Sequence, residues 1–220
     1  MAPSMAGVTL CGHGTHRACR GCENEDMASP DGDVTIRPAI EDDLIDVAAI
    51  YNHEIANSTA TFDLEPPTLA YWEQRLAGKH EGDHLLVAVD DDGDVVGYAY
   101  SWSYRPRPAY DLTRETSIYL DPSVRGRGIG RLLYPALLDT MAASGVHTAV
   151  ALVALPNPGS IALHKACGFE HVGTMREVGY KFDQWVDVEW YQKLLGCPRE
   201  RCPSTRWCRW STCWRSGRWG

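Results

Sequence analysis

Between the short strand-like run Ser117, Ile118, Tyr119, Leu120 and a long stretch of helical period, the chain reads Asp121-Pro122-Ser123-Val124-Arg125-Gly126-Arg127-Gly128-Ile129-Gly130-Arg131. No other feature restricts the fold as much. Three glycines in five positions let the backbone take positive φ and pass close to a ligand. The helix that follows begins with N–H groups lacking intrahelical partners, and its dipole favours an anion there. Arg125, Arg127 and Arg131 add formal positive charge. A pyrophosphate is the natural occupant, although a tight strand–helix connection uses the same residues. Two other phosphate-binding designs fail on the sequence. A Walker-type loop needs Lys and then Ser or Thr after its last glycine, and Arg131-Leu132 stands here. A dinucleotide fold wants the turn after its first strand, and this turn comes late, behind a hairpin.

The charge of the chain makes the arginine cluster more telling. The 220 residues carry a net charge of −8. Residues 196–220, with six Arg and one Glu, are at +5, whereas residues 33–195 hold 24 acids and 13 bases, hence −11. A body that acidic argues against nucleic acid as the main partner. No run approaches about 18 consecutive apolar residues, so no transmembrane helix is expected. The first thirty residues lack a basic start followed by an apolar run, so no secretory signal is read there and a cytoplasmic enzyme is expected.

Cysteine divides the chain the same way: three in residues 1–32, four in 196–220, and Cys167 between. Cys11, His13, His16, Cys19 and Cys22 have enough soft ligands for a tetrahedral zinc, but the spacing is tighter than paired-knuckle sites, and Met27 offers an alternative start; no metal is assigned. Trp207, Trp210, Trp214 and Trp219 would suit a membrane-surface patch or an RNA-binding tail, but Pro198, Pro203 and Gly217 oppose a long helix. The expected organisation is a leader without fixed structure (1–32), one domain (33–195) and a tail without fixed structure (196–220).

Within 33–195, strands and helices alternate. A strand at 34–37 stops at Pro38. Leu44, Val47, Ala48, Tyr51 and Ile55 mark a helix ending near Asn57, and a second helix carries Leu69, Trp72 and Leu76. Leu85, Val87 and Val89 alternate toward Asp92-Gly93, and 95–100 returns as a hairpin. A strand at 117–120, helix at 128–143, strand at 148–155, helix at 158–166 and strands at 171–176 and 186–192 follow. Pro135 is expected to kink the helix at 128–143 and to shift the packing of Leu137, Leu138 and Met141. Cys167, beside Gly168, reads as a small core residue. This order implies a mixed sheet with helices on both faces, and about 160 residues can bury roughly two-thirds of their unfolded surface.

Arg125-x-x-Gly128-x-Gly130 behind Ile118-Tyr119-Leu120 resembles the acetyl-CoA signature of the GNAT acyltransferases. The likeness covers about residues 33–195 and tightens to the phosphinothricin N-acetyltransferase branch. Ile50-Tyr51-Asn52-His53, Ser58-Thr59-Ala60-Thr61-Phe62, Arg107-Pro108-Ala109-Tyr110, Leu155-Pro156-Asn157, Leu163-His164, Gly168-Phe169 and Gly179-Tyr180-Lys181 carry it. The resemblance implies an α/β (α+β) fold with a mixed, mostly antiparallel, splayed sheet of about seven strands flanked by about four helices. It also implies acetyl-CoA as co-substrate, a small amino acid as acceptor and a homodimer.

The resemblance further implies roles. Glu115 takes the general-base position, since an amine attacks a thioester only when neutral; a solvated glutamate paired with Arg114 is the alternative. His164 stands where many relatives carry a Tyr that protonates the departing thiolate, and an imidazole with an ordinary pKa of about 6.5 suits that work. Ile118, Tyr119 and Leu120 would bond the pantetheine arm, Arg125 to Arg131 with Gly126, Arg127, Gly128, Ile129 and Gly130 would hold the pyrophosphate, and Asn157 would touch the donor or cap its helix. Phe62, Arg107, Pro108, Ala109, Tyr110 and Lys181 fall to the acceptor, whose anionic side chain needs a cationic clamp and an aromatic wall. The rival reading is a non-catalytic acyl-CoA sensor.

Overall fold

A computed structural model describes residues 34–196; the Cys/His leader and the Arg/Trp tail lie outside the described residues. Strand β1 (Thr35–Pro38) ends at a proline that has no N–H to offer the ladder. A short 3-10 turn at Glu41–Asp43 leads into α1 (Leu44–Asn57), and α2 spans Leu69–Ala77. Asp43 fixes this entry: its carboxylate accepts from the Ile40 N–H (2.8 Å) and from Arg37 Nη1 and Nη2 (2.6 and 2.8 Å), which holds it below the usual carboxylate range. β2 (His84–Val89) and β3 (Val95–Ser103) form the expected hairpin, turning at Gly93 with φ of 89°.

β4 (Thr113–Leu120), α3 (Ile129–Ala143), β5 (Thr148–Ala154) and α4 (Pro158–Ala166) follow, closed by β6 (Glu170–Lys181) and β7 (Gln184–Leu194). The seven strands lie in the order β1-β2-β3-β4-β5-β7-β6, and every neighbouring pair is antiparallel except β4–β5. The fold is the mixed α/β arrangement of seven strands and four helices that the resemblance implied.

Alternation along the strands sorts two cores onto the two sheet faces. Tyr98 and Tyr100 of β3 and Tyr119 of β4 pack with Val47, Ile50 and Tyr51 of α1 and Trp72 of α2. Ala99, Ala149, Ala151 and Val153 pack with Leu133, Leu137, Leu138 and Met141 of α3 on the other face. The kink expected at Pro135 does not interrupt α3, which runs as one helix with those residues buried. The proline removes one bond, and the carbonyl left free belongs to the exposed Arg131, where water can serve it. β6 and β7 are longer than the apolar pattern implied. Much of β6 is exposed, so its alternation carries no core signal.

Candidate active site

β4 and β5 are partners only from Thr113↔Thr148 to Glu115↔Val150. Beyond that point β4 stays with β3 and β5 stays with β7, so the sheet splits into a V. The V holds a cleft of about 990 Å³, with Ile118, Tyr119 and Leu120 on one wall and Leu152, Val153 and Ala154 on the other. An unpaired strand edge of this kind takes an extended, amide-bearing ligand as an added strand.

The glycine turn forms the mouth. Gly126 (φ 80°) and Gly128 (φ 84°) adopt the left-handed conformation that other residues resist, and Gly128 caps α3. Arg125, Gly126, Arg127, Gly128, Gly130 and Arg131 all line the cleft. The Ile129 side chain is 1% exposed in the core, which leaves only its backbone for a ligand. Arg125 is held on both sides: its guanidinium contacts the buried carboxylate of Glu54, and Nε donates to the Leu120 carbonyl at 3.3 Å. Glu54 also accepts from Ser58 Oγ at 2.5 Å.

Glu115 sits at the apex of the V, on the last paired residue, with Trp102 opposite it on β3. Burial pushes its carboxyl above the usual range, while the guanidinium groups of Arg105 and Arg75 pull it back. Arg114 is not its partner. That residue points to the other face and meets Asp83 at 3.5 Å, as strand alternation requires. Arg75 lies 4.3, 4.5 and 4.9 Å from the ring centroids of Tyr71, Tyr100 and Trp102, and its Nε and Nη1 are buried without a hydrogen-bond partner.

His164 is 4% exposed and lines the cleft from α4. Burial lowers its pKa, against the opposing bond to the Ser160 carbonyl. Nδ1 lies 2.7 Å from that carbonyl oxygen and Nε2 3.0 Å from the Tyr134 hydroxyl. Asn157 lines the cleft and caps α4, its Oδ1 accepting from the Ser160 N–H at 3.0 Å.

The residues assigned to the acceptor are not gathered into one clamp. Arg107, Pro108, Ala109 and Tyr110 are exposed on a short 3-10 turn. Tyr110 meets the Tyr104 ring at 5.4 Å and lines a neighbouring cavity of about 250 Å³ with Val150 and Trp190. Lys181, 3% exposed, donates to the Thr61 carbonyl at 2.8 Å, so it braces the loop before α2. In that loop Phe62 covers Gly179 closely enough that a side chain there would collide with its ring.

Sequence reasoning missed Glu54, Arg75, Thr116 and Tyr134. Glu54 had a usable signal, since it falls on the apolar stripe of α1 with Val47, Tyr51 and Ile55, where an unpaired carboxylate is costly. Arg75 follows Tyr71 by one helical turn, which signals a stacked pair only weakly.

Residues 47–169 match the Acetyltransferase (GNAT) family. A phosphinothricin N-acetyltransferase of Streptomyces coelicolor is 44% identical over 168 residues, 74% of this chain and 97% of that protein. An L-methionine sulfoximine/L-methionine sulfone acetyltransferase of Pseudomonas aeruginosa is 38% identical over 164 residues, 73% of this chain and 94% of that protein. Among solved structures, a phosphinothricin acetyltransferase of Sinorhizobium meliloti in complex with AcCoA superposes with a TM-score of 0.72 at 37% identity, over 78% of this chain and 94% of that one. The glycine turn, its three arginines and the open β4 edge are the parts such a donor needs, and this chain belongs to the GNAT family of acetyl-CoA-dependent N-acetyltransferases.

Proposed function

We propose that the protein transfers the acetyl group of acetyl-CoA directly to the α-amino group of phosphinothricin or a similar small amino acid, such as methionine sulfoximine or methionine sulfone. The observation that carries this reading is the half-buried carboxyl of Glu115 on β4, at the residue where β4 and β5 part. A carboxylate whose pKa is raised by burial is a stronger base than an exposed one, and Glu115 lies on the aromatic face of the sheet, opposite Trp102. The names of the relatives supply the acceptor class.

In this proposal Glu115 takes the proton of the attacking ammonium, and His164 assists in returning one to the departing thiolate. Backbone N–H groups of Tyr119 and Leu120 hold the extended arm and the acetyl oxygen. The first turn of α3, from Ile129, and the arginines of the turn hold the pyrophosphate, and Asn157 borders it. On the acceptor side, Arg107 supplies a cation for the side-chain anion, and Pro108, Ala109 and Tyr110 with Tyr104 supply the wall. Lys181 acts through the loop it braces, which positions Phe62.

The catalytic domain is assigned to residues 33–195. A homodimer is part of the same proposal, supported by the edge strand β6 and its hairpin, where Val172, Tyr180, Phe182 and Trp185 are each at least half exposed. A cytoplasmic location and a role in resistance to the antibiotic or herbicide acceptor belong to it as well. Among the described residues no helix is long and apolar enough to cross a membrane. The test is acetylation of phosphinothricin, methionine sulfoximine, methionine sulfone and the ordinary amino acids by the purified full chain. Turnover of one of the first three at the highest kcat/KM is expected. Binding of acetyl-CoA with no turnover of any would favour a sensor domain.

A further inference from the structure

Four hydrogen-bond gaps lie in line between β5 and α4, through the wall of the cleft. The Ser160 carbonyl oxygen is 2.7 Å from His164 Nδ1, and His164 Nε2 is 3.0 Å from the Tyr134 hydroxyl. The Tyr134 hydroxyl is 2.7 Å from Thr116 Oγ1, which is 3.1 Å from the Val150 carbonyl oxygen. Both ends are carbonyls and only accept. Between them stand a neutral imidazole and two hydroxyls, each with one proton to donate. Three protons cannot fill four gaps.

The geometry says where the shortfall falls. A carbonyl 2.7 Å from Nδ1 requires the proton on that nitrogen, and the Ser160 hydroxyl, 3.2 Å from the same atom, can then only accept there and adds no proton to the chain. Nε2 must then accept, so Tyr134 donates to it and Thr116 donates to Tyr134. The gap left without a proton is the one from Thr116 to Val150, the longest of the four. Thr116 and His164 both border the cleft, and Tyr134 is fully buried behind it. Both ring nitrogens of His164 are closed off, however, Nδ1 by the Ser160 carbonyl and Nε2 by the Tyr134 hydroxyl.

A fourth proton fits this chain without moving a heavy atom. It enters at Thr116 Oγ1, each hydroxyl passes its own proton onward, and the ring ends as imidazolium with all four gaps filled. We propose that Thr116, Tyr134 and His164 form a one-proton wire, with Thr116 as its mouth to the cleft and His164 as its store. The proposal rests on the acetyl-transfer reading for its purpose. The departing thiolate takes the Thr116 proton, Thr116 takes that of Tyr134, and Tyr134 takes the proton on Nε2. One S–H bond forms, one N–H bond breaks, and the buried ring returns to neutral. Hydronium entering from the open cleft reloads the wire by the reverse steps. Tyr134 is a positioning residue in this scheme, and His164 acts through it.

Besides the Ser160 hydroxyl, the Phe169 ring meets the imidazole edge-on at 5.2 Å. Tyr134 comes from α3, and Tyr191 of β7 stacks at 5.8 Å while its hydroxyl donates to Glu189 at 2.5 Å. His171 of β6 meets the far side of Tyr191, and the Cys167 thiol ends the helix that carries His164, with the Lys193 ammonium on its carbonyl. Burial lowers the ring's pKa, so a stored proton is released readily.

The test uses the full chain and two readouts. Long-range ¹H–¹⁵N spectra of His164, taken without substrates, are expected to show the Nδ1–H tautomer at pH 8. In Tyr134→Phe, Nε2 loses its partner and the ring pKa is expected to fall by about one unit. In acetylation assays Thr116→Val and Tyr134→Phe are each expected to lower kcat about tenfold or more, with Thr116→Ser within about threefold of wild type and acetyl-CoA affinity unchanged in all three. An Nε2–H tautomer in wild type, an unmoved titration in Tyr134→Phe, or Thr116→Val turning over at the wild-type rate overturns the wire. A Thr116→Ser enzyme as slow as Thr116→Val does so too, because packing and not the hydroxyl would then be at work. If Thr116→Val fails to fold, Thr116→Ser and the Tyr134→Phe spectra decide. Absence of turnover in wild type would instead remove the acetyl-transfer reading, and the spectra would still judge the wire.

Discussion

The two faces of β4 solve the same problem, how to keep a polar group inside a protein, in opposite ways. On the α1–α2 face stand Glu115, Ser117 and Tyr119, in a cluster dense in aromatic rings. Trp72 alone meets Tyr51, Tyr71 and Tyr98 edge-on at 5.0 to 5.5 Å. There a half-buried carboxyl and a half-buried guanidinium, Glu115 and Arg75, coexist, and Arg75 leans on ring faces and donates to the Tyr71 hydroxyl. On the α3–α4 face Thr116 lies among aliphatic residues, and its polarity is absorbed by a chain of neutral hydrogen bonds through Tyr134 to His164. One face keeps a lone carboxyl under tension, whereas on the other the one buried charge beside Thr116, Arg114, is matched by Asp83 at 3.5 Å. Chemistry that needs a base and a separate acid is served by that separation.

The comparison breaks most visibly at Glu115. Glu115→Gln is expected to lower kcat/KM about 10²–10⁴-fold and to remove the acid limb of the pH–rate profile. The sign for stability is opposite. Because the folded-state pKa is raised, the stabilising contribution is fully present below the ordinary carboxylate range and lost as pH rises through the raised value. At neutral pH the carboxylate therefore costs stability, so the inactive variant should melt higher than wild type in calorimetry. A lower Tm would contradict the claim that burial dominates at this position.

A smaller effect is expected at Arg75, one of the two cations that hold Glu115 down. Arg75→Met keeps the length of the side chain and removes its charge. The acid limb of kcat/KM should move toward higher pH by about half a unit, with His164 titrating as before. Movement of both groups together would show that the two faces are not independent.

The smallest change lies at the start of α4. Asn157→Ala removes the cap on the Ser160 N–H and should cost about 1 kcal/mol in urea unfolding. If Asn157 also touches the donor, KM for acetyl-CoA rises in the same variant, whereas a cap alone leaves it unchanged.

How much of this was legible beforehand depends on which forces fixed each part. The four helices and the β2–β3 hairpin were written in local pattern: α1 and α4 begin and end where caps, prolines and Gly168 place them. The donor cleft was legible because its turn is a contiguous string in which glycine conformation and arginine charge coincide. The acceptor side was not, since Lys181 meets the Phe62 loop only through tertiary packing, as a brace, and Tyr110 lies apart beside Tyr104. Tyr134 was hidden for a different reason. On α3 it keeps step with Leu133, Leu137 and Met141, and a tyrosine in such a stripe reads as core until its hydroxyl finds a partner.

The brace itself bears on how such an enzyme changes its diet. Lys181 and Thr61 are 120 positions apart, and the lysine sits where β6 turns toward β7. A substitution in that distant hairpin therefore shifts the Phe62 loop without altering any residue of the donor cleft. In the proposed reading, where Phe62 borders the acceptor, selection for a new acceptor has a handle outside the donor cleft, and a laboratory library confined to residues that line the cleft would never sample it.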